Sequence, residues 1–184
     1  MAKHLFYRRI LKEYKALVEN KLPGITLVKH TEDLTDFVFR IKVNHANHIY
    51  SQSDLYHLSI RITPDYPVDS PQVQFILFNE VIDLDAEDDE HDNDEDEDED
   101  DDLIEVGQSK IPMHPHIYSN GHICLNLLGE DWSPACSIET IVLSIQSMLN
   151  SNDKNERPPD DVNYVKYAPV NPKKTTFVYH DDAV

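Results

Sequence analysis

Leu55-Tyr56-His57-Leu58-Ser59-Ile60-Arg61-Ile62 has the alternation of a half-buried strand. Leu58, Ile60 and Ile62 share one face and His57, Ser59 and Arg61 the other, because successive side chains of extended backbone point to opposite sides. The same period places Phe37, Phe39, Ile41 and Val43 together in 36–43, and segments 25–29 and 72–78 have strand composition as well. The links between these four segments are short. That suits an antiparallel meander, since parallel neighbours need crossovers of about a dozen residues, usually helical. Pro64, Pro67 and Pro71 stiffen the link between the third and fourth strands, each fixing φ and removing a backbone donor.

Helical spacing brackets the strands. Tyr7, Ile10, Leu11, Tyr14, Leu17 and Val18 recur as one helix face, predicting an N-terminal helix to about Asn20, stopped by Pro23 and Gly24. Its other face carries Arg8, Arg9, Lys12 and Lys15 against Glu13 and Glu19. Downstream, Ser137 is placed as an N-cap, and Ile138, Ile141, Val142, Ile145, Met148 and Leu149 give a central core helix packed on the sheet. The fold class is therefore α+β. The tail is broken by Pro158, Pro159, Pro169 and Pro172, so it is expected to be loosely ordered, with Phe177 and Tyr179 as anchors. The expected organisation is a core domain over 1–151 and a flexible tail over 152–184.

The formal net charge of −19 is unevenly placed: residues 83–102 hold 16 of the 35 acidic residues and no Lys or Arg. Such a run repels itself and has too little apolar surface to repay its ordering entropy, so an insertion at about 80–108 is expected to be disordered. The remainder is nearly balanced, with 19 acids against 16 bases. No large basic surface is available for nucleic acid or anionic membrane. No stretch approaches the roughly 18 apolar residues of a membrane span, and no signal peptide begins the chain, so the expected location is cytoplasm or nucleus. Two cysteines, Cys124 and Cys136, are too few for a disulfide framework.

Chemistry concentrates in His114-Pro115-His116-Ile117-Tyr118-Ser119-Asn120-Gly121-His122-Ile123-Cys124-Leu125. Taken singly, a cysteine here is a small buried hydrophobe and the histidines are surface polar groups. Zinc would find four nitrogen and sulfur ligands in His114, His116, His122 and Cys124, though structural sites usually pair ligands from separate segments. A histidine beside Cys124 could also activate the thiol for hydrolysis, given an orienting group.

The segment resembles the active-site signature of ubiquitin-conjugating enzymes, in which a His-Pro-Asn tripeptide precedes Asn-Gly-x-Ile-Cys-Leu. Thr63-Pro64-Asp65-Tyr66-Pro67 upstream and Asp131-Trp132-Ser133-Pro134-Ala135 downstream fit that family in order and separation. The departure is His116, where the family has asparagine. The His-Pro-His variant, Arg157-Pro158-Pro159-Asp160, Asn171-Pro172-Lys173-Lys174-Thr175 and Tyr179-His180-Asp181-Asp182 resemble the W-type members.

The resemblance implies the ubiquitin-conjugating fold and a transferase that takes ubiquitin from an activating enzyme as a thioester on Cys124. It implies delivery to a substrate's N-terminal α-amine with a RING or U-box ligase, on substrates with flexible N-termini, and no metal or other cofactor. His116 inherits either oxyanion stabilisation or support of the active-site loop, with His114, Pro115, Asn120 and Gly121 shaping that loop. Arg8, Arg9 and Lys12 become contacts for the activating enzyme, and Tyr66, Pro67, Trp132, Ser133, Pro134 and Ala135 contacts for the ligase. Cys136 is expected to be packing. A lysine-directed enzyme, a non-catalytic interaction module and a zinc protein are the alternatives.

Overall fold

A computed structural model describes residues 5–79 and 108–175. Helix α1 (Tyr7–Glu19) leads into β1 (Ile25–His30), β2 (Asp36–Ile41), β3 (Asp54–Arg61) and β4 (Gln72–Ile76), followed by the short β5 (Gln108–Ser109), α2 (Ile138–Asn150) and α3 (Asp161–Tyr167). The first four strands form the expected antiparallel meander in the order β1-β2-β3-β4, and β5 runs parallel to the start of β3.

Register turns the alternation into a core. Phe39 pairs with Leu58 and Leu58 with Phe75, while Phe37 pairs with Ile60 and Ile60 with Val73. These side chains are buried together with Ile138, Ile141, Val142, Ile145 and Leu149 of α2 in one apolar cluster. Each such side chain removed from water contributes about 1.5–3 kcal/mol. Ser137 caps α2 as expected, its side chain accepting from the Thr140 amide.

His57 departs from the simple pattern: it lies on the face opposite Leu58 yet is fully buried. Its Nδ1 is 3.1 Å from Ser109 Oγ, and the Phe78 ring packs 5.3 Å away. The Phe78 amide also donates to Ser109 Oγ (3.0 Å). The two ends flanking the acidic stretch thus meet over β3 and cover a face the strand alone would leave open. The expected disordered insertion and the anchors Phe177 and Tyr179 lie outside the described residues.

Glu13 joins α1 to the rest of the domain. Its Oε1 accepts from Arg9 Nε (2.7 Å), its Oε2 accepts from the Ile138 amide at the start of α2 (2.9 Å), and the Tyr66 hydroxyl lies 2.8 Å from both oxygens. Tyr66 has no exposed surface. Burial, then the Glu13 charge, push its phenol well above the usual range, so it remains a donor. Glu13→Ala would leave a buried hydroxyl and a guanidinium without their acceptor, which costs about 3 kcal/mol. Thermal denaturation should show a fall of roughly 6–12 °C, with Glu13→Gln retaining part of the loss.

Part of the described tail is helical. Prolines bound α3 rather than prevent helix: Pro158 and Pro159 precede it, and Ala168 ends it in extended backbone (φ −61°, ψ 134°), as the residue before Pro169 favours. Asn152 is buried, donating to the Tyr50 hydroxyl (2.8 Å) and the Met113 carbonyl (3.1 Å). Lys173 Nζ reaches Asp69 Oδ1 and the Ser70 carbonyl, each at 2.7 Å. Through residue 175 these polar contacts tie the described part of the tail to the domain.

Candidate active site

The loop bearing Cys124 is built on the edge of β4. The Phe75 amide donates to the Gly121 carbonyl (2.8 Å), and Gln74 pairs with His122. Gly121 has φ +89°, and a Cβ there would fall 2.0 Å from the Phe75 carbonyl oxygen. Glycine is required both for the left-handed turn and for the approach of two backbones. Asn120 completes the turn, its Oδ1 accepting from the His122 amide (3.1 Å). The chain then doubles back: the Tyr118 amide donates to the His122 carbonyl, Ile117 pairs with Ile123, and the Cys124 amide donates to the His116 carbonyl (2.9 Å). Cys124 is 8% exposed.

His114 is part of the loop's frame. It is buried, and its Nδ1 accepts from the His116 amide (2.9 Å). That bond needs an unprotonated Nδ1. Burial first, then the charges of His116 and Arg157, push its pKa down to about 4. An unfolded histidine protonates near 6.5, so between these values the unfolded chain binds more protons and stability falls as pH falls. The loss approaches about 3 kcal/mol by pH 4. Urea midpoints between pH 7.5 and 4.5 should fall less steeply for His114→Asn, which keeps an acceptor but does not titrate. His122, also pushed down chiefly by burial, acts in the same direction in both proteins.

The tail supplies the second wall. Tyr164 of α3 stacks on Tyr118 with ring centroids 3.8 Å apart, and its hydroxyl lies 2.8 Å from His122 Nδ1. The Tyr118 hydroxyl donates to Asp160 Oδ1 (3.2 Å), and Asp161 accepts from the Ser119 amide (2.7 Å). Asp160 precedes α3 without capping it through its side chain, because its carboxylate is engaged by Tyr118. Burial raises both phenols, Asp160 raises Tyr118 further, and negative charge at Cys124 adds to both. The two hydroxyls remain protonated beside the thiol.

The other expected site residues differ in exposure. Tyr66 and Pro67 are buried, and Arg9 turns inward to Glu13 and the Cys136 carbonyl. Tyr66 and Pro67 pack between α1 and the Trp132 loop; Trp132 Nε1 donates to the Pro67 carbonyl (3.0 Å). Arg8, Lys12, Ser133, Pro134 and Ala135 are exposed, Trp132 is half-buried, and Pro115 and His116 are half-buried at the loop. Cys136 is half-buried, with Sγ 3.8 Å from Ser133 Oγ. Among the described residues no group of three or more His, Cys, Asp or Glu side chains is placed to hold a metal ion, and His114 and His122 direct their Nδ1 atoms to other partners. Also among the described residues, no helix is long and apolar enough to cross a membrane. Sequence reasoning missed Tyr118 and Tyr164 and left Asp160 without a role. Only folding brings these together, across more than 40 residues of chain.

This architecture and loop define a ubiquitin-conjugating domain. The sequence description of the family, "Ubiquitin-conjugating enzyme", matches residues 9–178. The chain is 37% identical over 175 residues to the Danio rerio protein "Probable ubiquitin-conjugating enzyme E2 W-A", covering 95% of each. It is 35% identical over 178 residues to "Ubiquitin-conjugating enzyme E2 W" of Caenorhabditis elegans, covering 96% of each. The crystal structure of the ubiquitin-conjugating enzyme UbcA1 from Agrocybe aegerita superposes with a TM-score of 0.69 at 36% identity, covering 91% of this chain and 98% of that one. The chain belongs to the ubiquitin-conjugating enzyme family, and within it resembles the W type. It is a transferase whose family works with ubiquitin, an activating enzyme and a ligase.

Proposed function

We propose that Cys124 receives the C-terminal acyl group of ubiquitin as a thioester and delivers it to the α-amino group of a flexible protein N-terminus, with a RING or U-box ligase, in the cytoplasm or nucleus. The observation that carries this reading is the hold of the His116 carbonyl on the Cys124 amide (2.9 Å). It puts the one cysteine with the family's flanking motif beside the residue that departs from that motif.

The reacting form of cysteine is its thiolate. It attacks the activating enzyme's thioester, forming a new C–S bond and releasing the other thiolate. A neutral amine then adds to the carbonyl, forming the C–N bond and a tetrahedral oxyanion, which collapses to the amide with C–S cleavage. Cys124 leaves as thiolate, and the nitrogen's extra proton passes to solvent or a nearby base. With ordinary pKa values of about 7.8 and 10.4, roughly 30% of α-amines but only ~0.1% of lysines are neutral near pH 7.4. An α-amine therefore needs little help, and the Asp160 carboxylate, already accepting from Tyr118, is not required as its base. His116, half-buried in the loop, is proposed to donate a ring N–H to the oxyanion. Arg8, Lys12 and the exposed Ser133-Pro134-Ala135 turn are proposed to meet the activating enzyme and the ligase.

The test supplies activating enzyme, ATP, ubiquitin and a peptide with either a free or an acetylated N-terminus. A thiol-reducible ubiquitin conjugate should form first and then discharge to the free peptide alone. Discharge to a lysine regardless of acetylation would make the enzyme lysine-directed. Absence of the conjugate would remove Cys124 as the carrier.

A further inference from the structure

His114-Pro115-His116 is bracketed by three backbone carbonyls that converge on one guanidinium from the tail. Arg157 Nη1 donates to the carbonyls of Pro112 and Ile117, the latter at 3.0 Å, and Nη2 donates to that of Ile111, also at 3.0 Å. Two of these acceptors precede the tripeptide and one follows it. Arg157 is half-buried, burial works against its charge, and Asp161 offsets this only through longer-range attraction. A cation held there despite that cost makes charge-assisted bonds stronger than neutral ones. A planar fork can serve three diverging carbonyls, whereas an ammonium is a single point of charge.

The backbone of His116 also makes the local ties: its amide donates to His114 and its carbonyl accepts from Cys124. The loop is thus held without the His116 ring. We infer that Arg157 is the positioning residue of the active-site loop, fixing the His116 carbonyl and through it the Cys124 amide. The His116 ring is thereby left for the reacting thioester. The inference rests on Cys124 as the carrier, and it assigns to the tail the loop support credited to the family's asparagine.

The experiment uses the full chain with Arg157→Met, Arg157→Lys and a core variant, Ile145→Val, that lowers stability without removing a hydrogen bond of the loop. Single-turnover discharge of the preformed thioester is followed against concentration of a peptide with a free N-terminus. Amide hydrogen exchange is measured on the unloaded proteins. Arg157→Met should reduce the saturating discharge rate about 10- to 100-fold, the effect of a misplaced reacting group, while half-saturation stays within about twofold. Exchange at the His116 and Cys124 amides should quicken about tenfold or more. Arg157→Lys should recover part of both, and Ile145→Val should change neither.

Unaltered exchange at those two amides in Arg157→Met would overturn the inference. So would a rate loss no greater than that of Ile145→Val at matched melting temperature. The exchange measurement decides the positioning role even if no thioester forms on the wild-type protein, a result that would count against the proposed function alone.

Discussion

Replacing Gly121 by alanine is expected to detach the active-site loop from β4 and to cost more than about 4 kcal/mol, a large share of ordinary domain stability. Two penalties combine. Left-handed backbone costs an L-residue roughly 1–2 kcal/mol, and Gly121 sits at φ +89°. The larger penalty is contact, because the new Cβ would lie 2.0 Å from the Phe75 carbonyl oxygen and 2.9 Å from its carbon. Those are backbone atoms of a sheet strand, so no side-chain rotation relieves them. The loop must lift, and the bond from the Phe75 amide to the Gly121 carbonyl (2.8 Å) breaks with it. Denaturation would show a lower midpoint, and a thioester assay on any folded fraction would show impaired loading. A melting temperature within a few degrees of wild type would mean that the loop does not depend on this approach.

The second large effect is on chemistry without comparable damage to the fold. Cys124→Ala should abolish the ubiquitin conjugate, and Cys124→Ser should give at most an oxyester that survives thiol reductants. A free thiol supplies a few per cent thiolate near pH 7, whereas a serine hydroxyl supplies essentially none without an activating base. The stability change should stay near about 1 kcal/mol, since alanine removes one buried sulfur. The measurement is a non-reducing gel after incubation with activating enzyme, ATP and ubiquitin, beside thermal denaturation of the three proteins. A reducible conjugate persisting in Cys124→Ala would move the carrier role to Cys136.

Glu13 shows why a surface reading of charge can mislead. In sequence it is one acid among the bases of an amphipathic helix. In the fold it lies between Arg9, Tyr66 and the first amide of α2. Arg9 and Tyr66 both donate to it, and a third of the Arg9 side chain remains exposed.

What the sequence determined by itself was local and periodic. Alternation in 36–43 and 55–62 and helical spacing in 138–149 each specify an element and its buried face, because an apolar stripe must leave water wherever the chain goes. The motif around Cys124 is likewise short-range, whereas the larger part of the requirement for glycine at position 121 comes from the approach of the Phe75 backbone. The tertiary structure decided what depends on elements distant in sequence meeting. His57 is buried because β5 returns over β3. Tyr118 is walled by Tyr164 and Asp160 because α3 folds back. Arg157 faces the carbonyls of Ile111, Pro112 and Ile117 because the tail docks beneath the loop. No periodicity encodes these contacts, since a hydrogen bond from a proline-rich tail to backbone carbonyls leaves no signature in the residues that accept it.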